Sequence, residues 1–114
     1  MAITLTGGSA TISTTEISMP TGTTYSSGSP QSSTVILQLF IDPVNVVAGD
    51  QFRIRIYEKV NGGTQQVVYE AFLSGVPTGL LVLPTLILGE AWDATLLKIS
   101  GTDRSIGWSL RKVT

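Results

Sequence analysis

Apolar and polar positions along this chain recur with a period of two, and nowhere with the period of a helix, so the pattern predicts strands. The clearest stretch is Asp50 to Leu73. Its first arm sets Phe52, Ile54 and Ile56 against Arg53, Arg55 and Tyr57, and its second arm is β-branched and aromatic. Asn61-Gly62-Gly63 between them tolerates the positive φ of a tight turn, which makes the whole stretch one long β-hairpin. Thr34 to Asp42 sets Val35, Leu37, Leu39 and Ile41 against Ile36, Gln38, Phe40 and Asp42. With both faces largely apolar, it reads as a central strand of a packed sheet. Leu80 to Leu88 is apolar on both parities, but Pro84 cannot donate to a ladder, so this strand belongs at an edge or is bulged there. Trp92, Ala94 and Leu96 alternate until Leu97 and Ile99 shift the parity, which predicts a bulge near Leu96-Leu97 or a strand buried on both faces. Ser105 to Val113 is a last strand with Ile106, Trp108 and Leu110 inward. Six strands follow Thr34, at turn spacings of about ten residues, and this rhythm predicts an all-β fold, an antiparallel β-sandwich or jelly roll.

The N-terminal third differs in character. Residues 1 to 34 hold seventeen Ser or Thr, four Gly, two Pro and one charged side chain, Glu16. Disordered tails are usually kept in solution by charge. This segment is instead neutral, Thr-rich and punctuated by Ile3, Leu5, Ile12, Ile17 and Met19. It predicts an extended arm over residues 1 to 33, with strand pieces near 2 to 6 and 10 to 19 joined by Gly7-Gly8, ahead of a β-domain over 34 to 114. A plain flexible tail is the alternative. As an arm it would pair with its own sheet or with a neighbouring subunit.

Composition narrows the function. With 114 residues the chain makes one domain of limited core. Hydrophobic residues make up 42% and charged residues only 13%, a balance more comfortable when partners cover part of the surface. No run approaches the roughly 18 apolar residues of a bilayer span, so no membrane partner is expected, and the first residues carry no charged and apolar leader pattern. Seven basic against eight acidic side chains argue against binding nucleic acid by phosphate neutralisation. Histidine and cysteine are both absent, which removes the usual general base, the commonest metal ligands and the Ser-His and Cys-His nucleophile pairs.

Three constellations remain to be weighed. Arg53, Arg55 and Lys59 form a basic stripe on one face of the hairpin arm, suited to an anion or a partner's carboxylates, or simply to cross-strand pairing with Glu70 or Glu58. Asp42, Asp50, Asp93 and Asp103 sit at strand ends where calcium ligands could converge, yet no D-x-D-x-D-G spacing is present and Asp is an ordinary turn residue. Trp92 and Trp108 would serve a carbohydrate-binding surface if exposed, but their alternation phase matches the core positions. No catalytic, cofactor-binding or metal-binding set is predicted. The candidate partner interface is Ile3, Leu5, Ile12, Ile17, Met19, Leu81, Leu83 and Ile87, with Arg53 and Arg55.

The segments Gly49-Asp50-Gln51-Phe52-Arg53-Ile54-Arg55, Val68-Tyr69-Glu70, Gly89-Glu90-Ala91-Trp92-Asp93-Ala94-Thr95 and Ser100-Gly101-Thr102-Asp103-Arg104-Ser105-Ile106, with Trp108 to Val113, resemble those of small virion structural proteins of tailed bacteriophages. The resemblance runs from about Thr11 to Val113. It implies a non-enzymatic virion protein, assembled in the host cytoplasm, of the capsid decoration or cement kind. Its expected partners are the major capsid protein or other virion proteins, together with further copies of itself as a homo-oligomer. A tail, neck or fibre component, or a carbohydrate-binding module on the virion surface, would share the fold.

Overall fold

In a computed structural model describing residues 2–113, the chain forms ten β-strands and, among the described residues, no helix. They are β1 (Ile3–Ile12), β2 (Ile17–Ser18), β3 (Thr23–Thr24), β4 (Val35–Asp42), β5 (Gln51–Glu58), β6 (Gln66–Ser74), β7 (Leu81–Val82), β8 (Leu86–Leu88), β9 (Asp93–Ser100) and β10 (Arg104–Val113). Two antiparallel sheets result. One runs β1-β10-β4 with β7 and β8 along the far side of β4, and the other runs β3-β2-β9-β5-β6. Their inward positions meet in one hydrophobic core. Val35, Leu37, Leu39 and Ile41 of β4 and Ile106, Trp108 and Leu110 of β10 face Phe52, Ile54 and Ile56 of β5 and Trp92, Ala94 and Leu96 around β9. All of these side chains are buried, as the period-two pattern requires.

The organising hairpin forms as its sequence predicts, with Asn61 at φ 53° and Gly62 at φ 69° in the connection. Pro84 divides the apolar run of residues 80 to 88 into β7 and β8, both paired to β4 at the edge of the first sheet. Two local expectations need correction. There is no bulge at Leu96-Leu97: Leu97 stays in register opposite Arg53, Asp93 to Leu96 are buried on both faces as the other expectation had it, and the ladder irregularity falls where Gln51 opposes Ser100 and Phe52 opposes Lys98, leaving Ile99 as the extra residue. The break between the two N-terminal strand pieces also falls at residues 13 to 16, ahead of β2, and not at Gly7-Gly8. Strand β1 runs unbroken through Gly7-Gly8 in ten consecutive pairs with β10.

Gly8 is required for this passage because the Trp108 indole lies against it. A Cβ there would approach Trp108 Cζ2 to 2.8 Å. The backbone of β1 therefore forms part of the wall of the tryptophan's pocket. Ile12, at the end of β1, and Met19, just after β2, plug the core from the N-terminal side. Residues 3 to 19 thus contribute strands to both sheets and side chains to the common core.

Candidate functional site

The outer faces of the two sheets are treated in opposite ways by the chain. Residues 13 to 33 supply the edge strands β2 and β3 of the β3-β2-β9-β5-β6 sheet, and the stretches around them form a strap that sets Glu16 and Tyr25 against its outer face. Gln31 and Trp92 exchange backbone hydrogen bonds, Trp92 Nε1 donates to Ser33 O at 2.8 Å, and the Tyr25 ring stacks on Tyr57 with centroids 4.8 Å apart. Beneath the strap is a polar cluster. The Tyr57 hydroxyl and Thr95 Oγ1 both donate to Glu16 Oε2, at 2.7 and 2.5 Å, and Arg53 Nη2 lies 3.8 Å from the same oxygen. Ser18 Oγ and the Ala94 N–H donate to Asp93 Oδ1. The Tyr25 hydroxyl donates to the side-chain oxygen Gln65 Oε1, and Gln65 Nε2 donates to Ala91 O.

Burial pushes the Asp93 carboxyl above the usual carboxylate range, against the pull of its two donors. Burial together with the neighbouring Tyr57, Glu16 and Asp93 charges raises Tyr25 to about 12. Most of the polar groups of this cluster are engaged with one another and tie residues 13 to 33 to the sheet, while Arg53 Nε is buried without a hydrogen-bond partner.

Arg53 and Arg55, the expected partner contacts on this side, are engaged within the chain. Arg53 faces Glu16, while Arg55 donates to Glu70 Oε2 at 2.5 Å across the β5–β6 ladder and lies 3.5 Å from the Tyr57 oxygen. The four aspartates are taken up by separate local contacts. Asp42 caps the Val44 N–H, and Asp103 pairs with Lys98. Asp50 is held down to about 2 by the backbone N–H groups of Thr102 and Val47, with Arg104 Nε 2.8 Å away. Among the described residues no group of three or more carboxylates, histidines or cysteines is placed to hold a metal ion. Trp92 and Trp108 lie in the core and form no exposed aromatic platform.

Among the described residues the outer face of the β1-β10-β4 sheet has no such strap, and one end of it is apolar. The registers place Ile3, Val113, Ile36 and Ile87 side by side in one row across four strands. Ile3, Leu5 and Ile87 are 68%, 66% and 77% exposed, values far above those of any core residue. The next row is Leu5, Arg111 and Gln38, and the one after it Gly7, Ser109, Phe40 and Val82. The Arg111 guanidinium sits 3.6 Å above the centre of the Phe40 ring, a cation–π contact that keeps its charge low on the sheet. A depression of about 480 Å³ opens among Ile3, Leu5, Ile36 and Val113, with Gln38 and Arg111 at its rim. Such exposed apolar surface makes this face the candidate contact surface, and among the described residues no other part of the chain covers it.

Of the ten interface residues expected from sequence, three therefore meet on this face: Ile3, Leu5 and Ile87. Ile12, Met19 and Leu83 are corrected to core positions, because the parity of β1, the approach of residue 19 to β9 and the Leu83 N–H to Leu39 O bond turn them inward. Ile17 and Leu81 are half-buried and pack against that core. Ile36, Phe40, Arg111 and Val113 belong to the face but were not expected there. Their signal was present in the doubly apolar β4, which reads equally well as a strand covered on both sides.

Comparison of the chain with protein families, with curated proteins and with solved structures finds no match.

Proposed function

We propose that this chain is a non-enzymatic virion structural protein of jelly-roll type, a capsid decoration or cement protein that binds an assembled shell and bridges neighbouring capsid subunits. The jelly-roll reading is supported by the pairing order. If β7 and β8 count as one interrupted strand and β3 as an addition to β2, eight strands remain. The first pairs with the eighth (β1·β10), the second with the seventh (β2·β9), the third with the sixth (β4·β7 and β4·β8) and the fourth with the fifth (β5·β6). That is one long hairpin rolled into a two-sheet β-sandwich.

The observation that carries the functional reading is the uncovered apolar row Ile3-Val113-Ile36-Ile87. A surface of this kind favours a partner that offers an apolar, weakly charged face, such as the outside of an assembled protein shell. A protein that binds the assembled lattice more tightly than free subunits stabilises the lattice by mass action, without chemistry. The placement of Arg53, Arg55 and the four aspartates in internal contacts fits a protein whose charged groups serve its own fold.

The test is co-sedimentation of the purified chain with empty capsids of the virus whose genome carries its gene. The expected result is saturable binding to shells, little binding to dispersed capsid subunits, and loss of binding in Leu5→Glu/Ile87→Glu with an unchanged circular dichroism spectrum. Failure to bind shells, or equal binding by the double variant, overturns the proposal.

A further inference from the structure

The two sheets have four edges, and three of them carry devices that discourage another strand from adding. Strand β6 has the ladder irregularity beside Ile56/Tyr57 and Glu70 on its face, the β7/β8 side is broken at Pro84, and β3 is two residues long. Strand β1 has none. It offers ten residues, Ile3-Thr-Leu-Thr-Gly-Gly-Ser-Ala-Thr-Ile12, with no charge, no proline and no break in its pairing with β10. Among the described residues nothing pairs with its second edge. Such an edge is a ready template for strand addition, and a monomer would need to protect it.

We infer that the occupant of this edge is β1 of a second copy, paired antiparallel about a two-fold axis through Gly7. An uncharged strand needs no complementary charge, so its own copy is an adequate partner, and a two-fold contact closes after one addition. The register follows from the pleat. Residues directly opposite each other share a face, so the two residue numbers must add to an even value or one copy would turn its outer face to the other's core side. Sums of 14 and 16 each overlap nine residues of β1, and 14 is the one that keeps both outward apolar residues, Ile3 and Leu5, within the ladder. It sets Gly7 against Gly7, Leu5 against Ser9 and Ile3 against Thr11, with no like charges opposed. Both apolar faces then look to the same side, so the dimer presents two equivalent contact surfaces in one plane. Two linked contacts bind a repeating surface far more tightly than one.

The absence of cysteine in the native chain makes the test clean. Sedimentation of the full chain is expected to give a dimer. In Gly7→Cys, oxidation should cross-link it, because opposed Cα atoms about 4.5 to 5.5 Å apart suit a disulfide. In Thr11→Cys it should not, since those positions would be about 27 Å apart in the dimer. A Cβ at Gly7 meets only Trp108 O at 3.6 Å, so Gly7→Lys is sterically tolerated and sets two charges face to face across the axis. It should give a folded monomer, and Gly7→Ser a dimer. A monomeric native chain, cross-linking of Thr11→Cys as readily as Gly7→Cys, or a dimer that survives Gly7→Lys would each overturn the inference. The shell-binding proposal fails separately: a dimer that ignores shells removes that reading alone, and a monomer that binds them removes only this one.

Discussion

Single side chains in this protein are held most tightly where backbone and ring, or carboxylate and donor, leave no second arrangement. Gly8 is such a position. Gly8→Ala should cost about 1–3 kcal/mol, since the Trp108 indole must move within a packed core, and urea unfolding followed by tryptophan fluorescence will measure it. Asp50 and Asp93 are opposite cases in pH dependence. The folded pKa of Asp50 is lowered to about 2, chiefly by the Thr102 and Val47 N–H groups. Its contribution is complete above the unfolded value of about 4 and is lost as pH falls toward 2. Burial raises the folded pKa of Asp93, so the native state holds that proton more tightly, and its contribution favours folding at low pH and fades as pH rises through the folded value. Asp93→Asn keeps an oxygen for Ser18 and Ala94 and removes the buried charge. It should therefore show a higher urea midpoint than the native protein at pH 7, with the gap closing below about pH 4. In Asp50→Asn the steep loss of stability between about pH 4 and 2 should flatten.

Among the elements, β1 and the strap decide whether the two sheets can close. Strand β1 lines the Trp108 pocket and delivers Ile12 to the core, so deletion of residues 2–12 should leave a chain that fails to unfold cooperatively in calorimetry. The strap is held by fewer and more polar contacts. Tyr57→Phe removes the hydroxyl that Glu16 accepts and should cost about 1–3 kcal/mol, with faster amide exchange confined to residues 13 to 33. The elements themselves were legible from sequence to very different degrees. The β5–β6 hairpin, β4 and β10 were plain from their alternation, and Pro84 placed its strand at an edge. Strand β1 was not, because Gly7-Gly8 reads as a joint in the sequence, whereas in the fold it is the space into which the Trp108 ring fits.

For the whole molecule, the organising asymmetry is one sheet face partly covered by residues 13 to 33, with Phe72 and Val67 of β6 left exposed, and one left open, among the described residues, over the apolar row Ile3-Val113-Ile36-Ile87. The native protein should bind an environment-sensitive dye such as ANS through the open face, and Leu5→Glu/Ile87→Glu should abolish most of that fluorescence without a change in secondary structure. By itself the sequence determined the all-β class, the inward residues of the central strands and the low charge of the surface. These depend on side-chain alternation and composition, which are local properties. Tertiary structure alone decided which apolar residues are free. Ile3 and Ile12 are alike in sequence, as are Ile87 and Leu83, yet one of each pair is exposed and the other is core. The cause is pairing: antiparallel register sets the face a residue occupies, and the strand order sets whether another layer covers that face. The Glu16–Tyr57–Thr95 cluster was hidden for the same reason, since its members, 41 and 79 residues from Glu16, meet only once the strap is laid across the sheet.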